Sequence, residues 1–173
     1  WDYGGSSLLI GNTFTENHDS FRYTYDPYIY EYGGAAVDVS ANTSTSIILQ
    51  DNAFTDGDSS LSFYAVPSVD IEGNTWDDYD SGIMNFSSCG AVTINDNQVT
   101  NSYGYVLSGY GEGMTLSVDT LSLDGTRPTD SFSRTYDLDG NLVSEYTYQS
   151  TAYEMIYIND AVLDMRDLSV SNS

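Results

Sequence analysis

Apolar positions recur along this chain in a short fixed frame. An apolar residue is followed by two others, an Asn, any residue and then a large apolar residue. The frame reads Leu9-Ile10-Gly11-Asn12-Thr13-Phe14, Leu49-Gln50-Asp51-Asn52-Ala53-Phe54, Ile71-Glu72-Gly73-Asn74-Thr75-Trp76 and Ile94-Asn95-Asp96-Asn97-Gln98-Val99. Two looser copies, Val118–Leu123 and Met165–Val170, carry Leu121 and Leu168 at the Asn position. Two residues before each opening apolar site stand Ser7, Ile47, Val69, Val92, Leu116 and Leu163, all apolar except the first. Apolar sites two apart are strand periodicity, because successive side chains of a strand alternate faces. An Asn at the end of such a strand marks a bend, where its amide can bond neighbouring backbone. The next apolar residue then opens a strand at a new angle.

The Asn sites and their Leu equivalents stand at 12, 52, 74, 97, 121 and 168. The central spacings of 22 to 24 residues are too short for helical repeats and suit one solenoid turn of three short strands. No segment shows a capped apolar stripe of helical period. A further strand follows at constant offset, opening at Leu61, Ile83 and Val106, seven residues after Phe54, Trp76 and Val99. Gly33–Val39 and Met155–Ile158 fill that role in the long coils. The pattern predicts an all-β chain: a right-handed parallel β-helix of five to six coils, forming one domain over 1–173 or a segment of a longer β-helix.

Two gaps exceed one coil, by about 17 and about 24 residues against the repeat. Both excesses fall ahead of the later strand, which puts insertions at approximately 18–32 and 125–153 on one side of the solenoid. Four coils at about 4.8 Å each predict that they lie roughly 20 Å apart along the axis. The second is expected to be a β-hairpin, since Asp139-Gly140 is a strong two-residue turn signal between alternating segments. Asn12, Asn52, Asn74 and Asn97 would stack as a ladder at one corner.

Charge then narrows the partners. Four Arg, no Lys and 26 acids give 4 − 26 = −22. Too few cations remain to replace counterions on nucleic-acid phosphates or to seat on anionic lipid. No run is long enough to span a membrane, and the chain opens Trp1-Asp2-Tyr3 without the basic and apolar regions of a signal peptide. Cys89, alone, has no intrachain disulfide partner and reads as a small buried hydrophobe. Calcium is the cofactor that acidic clusters suit, with candidate ligands at Asp77, Asp78, Asp80, Asp137 and Asp139. Asn42-Thr43-Ser44 and Asn85-Phe86-Ser87 are acceptors for N-glycosylation in a secreted chain.

The Asn-x-Phe coils resemble the pectin-lyase-like right-handed parallel β-helix over nearly the whole chain. Phe14-Thr15-Glu16-Asn17 with Gly33-Gly34-Ala35-Ala36 is similar to the two motifs of the polymorphic-membrane-protein repeat. That resemblance implies extracellular or cell-surface display. Galacturonan hydrolases of the first group carry Asn-Thr-Asp, Asp-Asp, Gly-His-Gly and Arg-x-Lys motifs. Only Asp77-Asp78 is present here, so pectin cleavage is not expected. A glycosidase using carboxylates such as Asp56, Asp58, Asp77, Asp78, Asp80 and Glu112 is the alternative to a non-enzymatic scaffold.

The insertions carry the strongest functional signal. They hold three of the four Arg, the single His and nine of sixteen Tyr. Tyr and Arg dominate recognition surfaces because they supply rigid contact area with a polar tip. Arg22, Tyr23, Tyr25, Tyr28, Tyr30, Tyr32, Arg134, Tyr136, Tyr146 and Tyr148 are therefore the expected contacts for a protein partner or a neutral glycan. The bland reading is that these tyrosines pack together as a satellite core. No capping helix is evident at either end, so further coils or other chains are expected to stack there, and a filament subunit is a third reading.

Overall fold

The computed structural model describes residues 5–17, 20–25, 28–33, 35–40, 45–57, 59–79, 82–126, 131–136, 142–148 and 155–172. Among them there is no helix. The chain is a parallel β-helix solenoid built on one curled sheet of thirteen strands. Each coil has three strands. The first side stacks β1 (Gly5–Ile10), β6 (Thr45–Gln50), β9 (Ser68–Glu72) and β12 (Ala91–Asn95), then residues 114–118 of β14 (Leu107–Asp124) and 161–165 of β17 (Ile156–Ser171). The second side stacks β2 (Thr13–Asn17), β7 (Ala53–Gly57), β10 (Thr75–Tyr79) and β13 (Asn97–Thr100), then the later parts of β14 and β17. The third side stacks β5 (Ala35–Ser40), β8 (Ser59–Tyr64), β11 (Met84–Ser87) and the openings of β14 and β17. That makes five full coils and two strands of a sixth, as the repeat predicts.

The inward columns are the apolar columns of the sequence. Ile47, Val69, Val92 and Leu116 stack in one, and Leu49, Ile71, Ile94 and Val118 in the next; all are buried. Phe14, Phe54 and Trp76 stack face to face, with ring centroids 4.7 and 5.1 Å apart. Their parallel rings follow from in-register pairing, which sets like positions one strand spacing apart. Trp76 Nε1 donates to Ser60 Oγ at 2.6 Å, so the indole is buried without losing its hydrogen bond.

The corners explain why Gly or Asp precedes each ladder Asn. Gly11, Asp51, Gly73 and Asp96 all have positive φ, between 52° and 66°. Only Gly, and less often Asn or Asp, visits this region readily. Asp56, Asp78, Asn101, Gly125 and Asn172 repeat the device at the second corner, and Ala65, Ser88 and Asp160 at the third. Many acids of the solenoid thus stand where the backbone turns.

The Asn ladder is directional. Asn12 N–H and Nδ2 both donate to Asn52 Oδ1, at 3.0 and 3.1 Å. Asn52 donates in the same way to Asn74 Oδ1, and Asn74 to Asn97 Oδ1. Each inner Nδ2 also reaches a carbonyl of the preceding coil: Asn52 that of Leu9, Asn74 that of Leu49 and Asn97 that of Ile71. The corner backbone is thereby satisfied on both sides, with the Asn-to-Asn bonds all running toward the C-terminal neighbour.

The insertions depart from expectation in one respect. The second contains the expected hairpin, β15 (Ser131–Tyr136) antiparallel to β16 (Leu142–Tyr148); its Asp139-Gly140 turn lies outside the described residues. The first is a hairpin too, β3 (Ser20–Tyr25) with β4 (Tyr28–Gly33). The two are not held apart by the length of the stack. They join as one four-stranded sheet, β16-β15-β4-β3, through the pairing of Tyr136 with Ile29. A strand of six residues spans about 20 Å, enough to cover the coils between. An open hairpin edge also gains main-chain hydrogen bonds by meeting another.

Candidate functional site

Both hairpins leave the solenoid between a second-side and a third-side strand, so the insertion sheet belongs to the corner that opens the third side. Register there pairs Phe21 with Tyr32, Tyr23 with Tyr30 and Tyr25 with Tyr28, and sets Arg22 opposite Glu31. In the other hairpin, Arg134 stands opposite Glu145, Ser133 opposite Tyr146 and Ser131 opposite Tyr148. All ten expected contact residues therefore sit on the strands of one sheet. Two sites read separately along the chain are brought together by β4 and β15.

The third side itself carries a feature absent from the expected contacts. From the second coil to the fifth its outward columns run Tyr64, Ser87, Tyr110, Asn159 and Ser62, Asn85, Ser108, Tyr157, with Ser40 and Asp38 of the first coil at their heads; of the second-to-fifth-coil members none is charged. That stretch carries no charge in a protein of net charge −22. Tyr64, Tyr110 and Tyr157 are 57%, 53% and 43% exposed. Tyr105, just ahead of the strand, packs edge-on against Tyr157 with centroids 6.5 Å apart. Tyr64 and Tyr110 share a column two coils apart, about 10 Å at the usual strand spacing. Between the rings lies a polar floor. Ser108 Oγ donates to Asn85 Oδ1 at 2.8 Å, and Asn85 Nδ2 donates to the Gly82 and Leu61 carbonyls. Asn85 is also a glycosylation candidate, and a glycan on its Nδ2 would displace these bonds; Asn42 lies outside the described residues. The outward tyrosines were readable from strand alternation once the inward residues Leu61 and Phe63 were set.

The acidic candidates among the described residues are spread over two corners, and Asp58 lies outside the described residues. Asp56 and Asp78 occupy the second corner and Glu112 follows Gly111 at the third, with a strand between them. The Asp77 carboxylate accepts from Thr100 Oγ1 at 2.7 Å and from Asn101 Nδ2 at 2.9 Å. Two coils on, Asp124 accepts from Asn172 Nδ2 at 2.6 Å and Ser171 Oγ at 2.9 Å. Thr100 stands between Asp77 and Asp124 in that column, so like charges are not stacked. The Asn172 and Ser171 donors hold the Asp124 carboxyl below its ordinary range. Among the described residues no group of three His, Cys, Asp or Glu could hold a metal ion; Asp80, Asp137 and Asp139 lie outside them. Cys89 is buried, and desolvation pushes its thiol up from its ordinary range.

No protein family, no curated protein and no solved structure matches this chain.

Proposed function

We propose that this protein is a non-enzymatic extracellular or cell-surface scaffold of the adhesive kind, whose contact surface is the third side, uncharged from the second coil to the fifth, and the adjoining insertion sheet. The observation that carries the reading is the concentration of exposed tyrosine on a stretch of face without charge, in a chain of net charge −22. A charged partner would find little to pair with on the third side between its second and fifth coils. A neutral glycan fits best: aromatic rings stack on the apolar faces of sugar rings, and Ser, Asn and Tyr side chains meet the hydroxyl groups. The in-column step from Tyr64 to Tyr110 suits an extended chain lying along the solenoid axis. The resemblance to pectin-lyase-like coils and to surface-adhesin repeats, at Phe14–Asn17 and Gly33–Ala36, supports display outside the cell.

The test is retention on an array of neutral glycans, followed by titration of the best binder. Tyr64→Ala with Tyr110→Ala should remove about 1 kcal/mol per ring, a roughly 30-fold weaker affinity for the pair. Unchanged affinity in the double variant would sink the assignment of the face. Time-dependent release of cleaved product would sink the non-enzymatic reading and favour a glycosidase.

A further inference from the structure

Tyr105 and Tyr157 meet at the neck of the second insertion. Tyr105 stands just ahead of the third-side strand of the fourth coil, and Tyr157 lies on the third-side strand of the fifth. Their rings pack edge-on with centroids 6.5 Å apart, and the two residues are 49% and 43% exposed. The chain between them, 157 − 105 = 52 residues, carries β15 and β16. It is the longest excursion between neighbouring coils: Leu121 and Leu168 are 168 − 121 = 47 residues apart, against 22 to 24 in the central coils. The two ends of that excursion are held by short-range bonds. Val106 and Leu107 N–H both donate to the Met155 carbonyl, at 2.9 and 3.1 Å, and Thr126 Oγ1 donates to Met155 Sδ at 3.2 Å. No internal disulfide can reinforce them, since Cys89 is the single cysteine and is buried, and without Lys no amide cross-link to a lysine can form.

We infer that Tyr105 and Tyr157 are an oxidative cross-linking site, joined by a one-electron oxidant of the peroxidase and hydrogen peroxide class into a dityrosine that closes the neck of the second insertion. Each phenol gives up one electron and its hydroxyl proton to become a phenoxyl radical. The two radicals form one carbon–carbon bond between ring positions beside the hydroxyl groups. The hydrogen displaced from each of those carbons moves to oxygen, so both hydroxyl groups are restored and the protein has lost two hydrogen atoms. One hydrogen peroxide takes up the two electrons and two protons and leaves as two waters. Ring contact favours this pair, because positioning turns an encounter between molecules into a step within one. Partial exposure lets the oxidant reach both rings and lets them turn from edge-on to the coupled geometry. A covalent bond across 52 residues removes freedom from the unfolded chain, and more so the longer the loop it closes. The inference concerns the neck alone and does not depend on what the third side binds.

The test treats the folded protein, at low concentration, with a plant peroxidase and stoichiometric hydrogen peroxide. The monomer should gain dityrosine fluorescence and lose two hydrogen atoms in mass, with the link mapped to Tyr105 and Tyr157 in proteolytic digests. Methionine oxidation adds oxygen and is separated by mass. The thermal midpoint of the linked monomer should rise by about 10 °C, the size expected for closing a loop of this length. Tyr105→Phe and Tyr157→Phe keep an aromatic ring at the contact but cannot form the phenoxyl radical, so each should lower the yield of linked monomer at least tenfold. The first hairpin offers competing pairs, Tyr23 opposite Tyr30 and Tyr25 opposite Tyr28. A link mapped only to those residues, an undiminished yield in Tyr105→Phe, or product confined to cross-linked dimers would each overturn the inference. An unchanged midpoint in the mapped product would overturn the closing of the neck.

Discussion

Asn74 is fully buried and its side chain takes part in five hydrogen bonds that no apolar side chain could replace. Its Nδ2 is shared between Asn97 Oδ1 and the Leu49 and Glu72 carbonyls, while its Oδ1 accepts from Asn52. Asn74→Ala leaves buried donors and acceptors on both adjoining coils unpaired, at about 1–3 kcal/mol for each such group. A loss of about 3 kcal/mol is expected in urea unfolding, against about 1 kcal/mol for Asn12→Ala at the exposed end. Equal losses at the two sites would contradict a ladder that gains strength from burial. Asp124 supplies a second residue-scale expectation. Its carboxyl is lowered from an ordinary value of 3.8 by Asn172 and Ser171. A group with a folded value below its unfolded one contributes stability above the unfolded pKa and loses it as pH falls through the folded pKa. Acid unfolding of Asp124→Asn should therefore show less pH dependence below about pH 4. A carbon-13 titration should place the Asp124 midpoint under 3.8.

At the scale of elements, the pairing of β4 with β15 is the unexpected connection. Solenoids exchange contacts only between adjacent coils, so their ends fray independently of the middle. Here the first insertion leaves the first coil and the second leaves the fifth, and their hairpins share one sheet. Opening the first coil therefore also strains a pairing rooted four coils away. Ile29→Pro removes a backbone donor at the joint and cannot sit in a central strand. Amide exchange in β1 and β2 should then quicken, while β9 and β12 stay protected. Unchanged exchange in β1 and β2 would show that the joint does not bind the coils together. The hairpin of the second insertion was visible as alternating segments about Asp139-Gly140. The joining of the hairpins was not, because Tyr136 and Ile29 are more than a hundred residues apart and no local pattern encodes which edges meet.

For the molecule as a whole, the acids and the tyrosines divide the surface. Asp occupies left-handed corner positions at residues 51, 56, 78, 96 and 160, where it substitutes for Gly in turning the chain. The third side is left without charge from the second coil to the fifth. Net charge alone reads only as an obstacle to polyanionic partners. Its placement separates acidic corners from a face that, from the second coil to the fifth, carries exposed tyrosine and no charge in its outward columns.

The coil, its period, its inward columns, the Asn ladder and the shared corner of the insertions all follow from the sequence by itself. Each rests on alternation within a strand and on repetition at one coil length, and both are local properties written into neighbouring residues. Tertiary structure decided the rest. It chose the left-handed corners that call for Gly or Asp before each Asn, the outward row from Tyr64 to Asn159, the union of two hairpins and the direction in which the Asn-to-Asn bonds run. These depend on which coil lies beside which and on the direction in which backbone groups point, and such relations exist only once the chain has closed its turns.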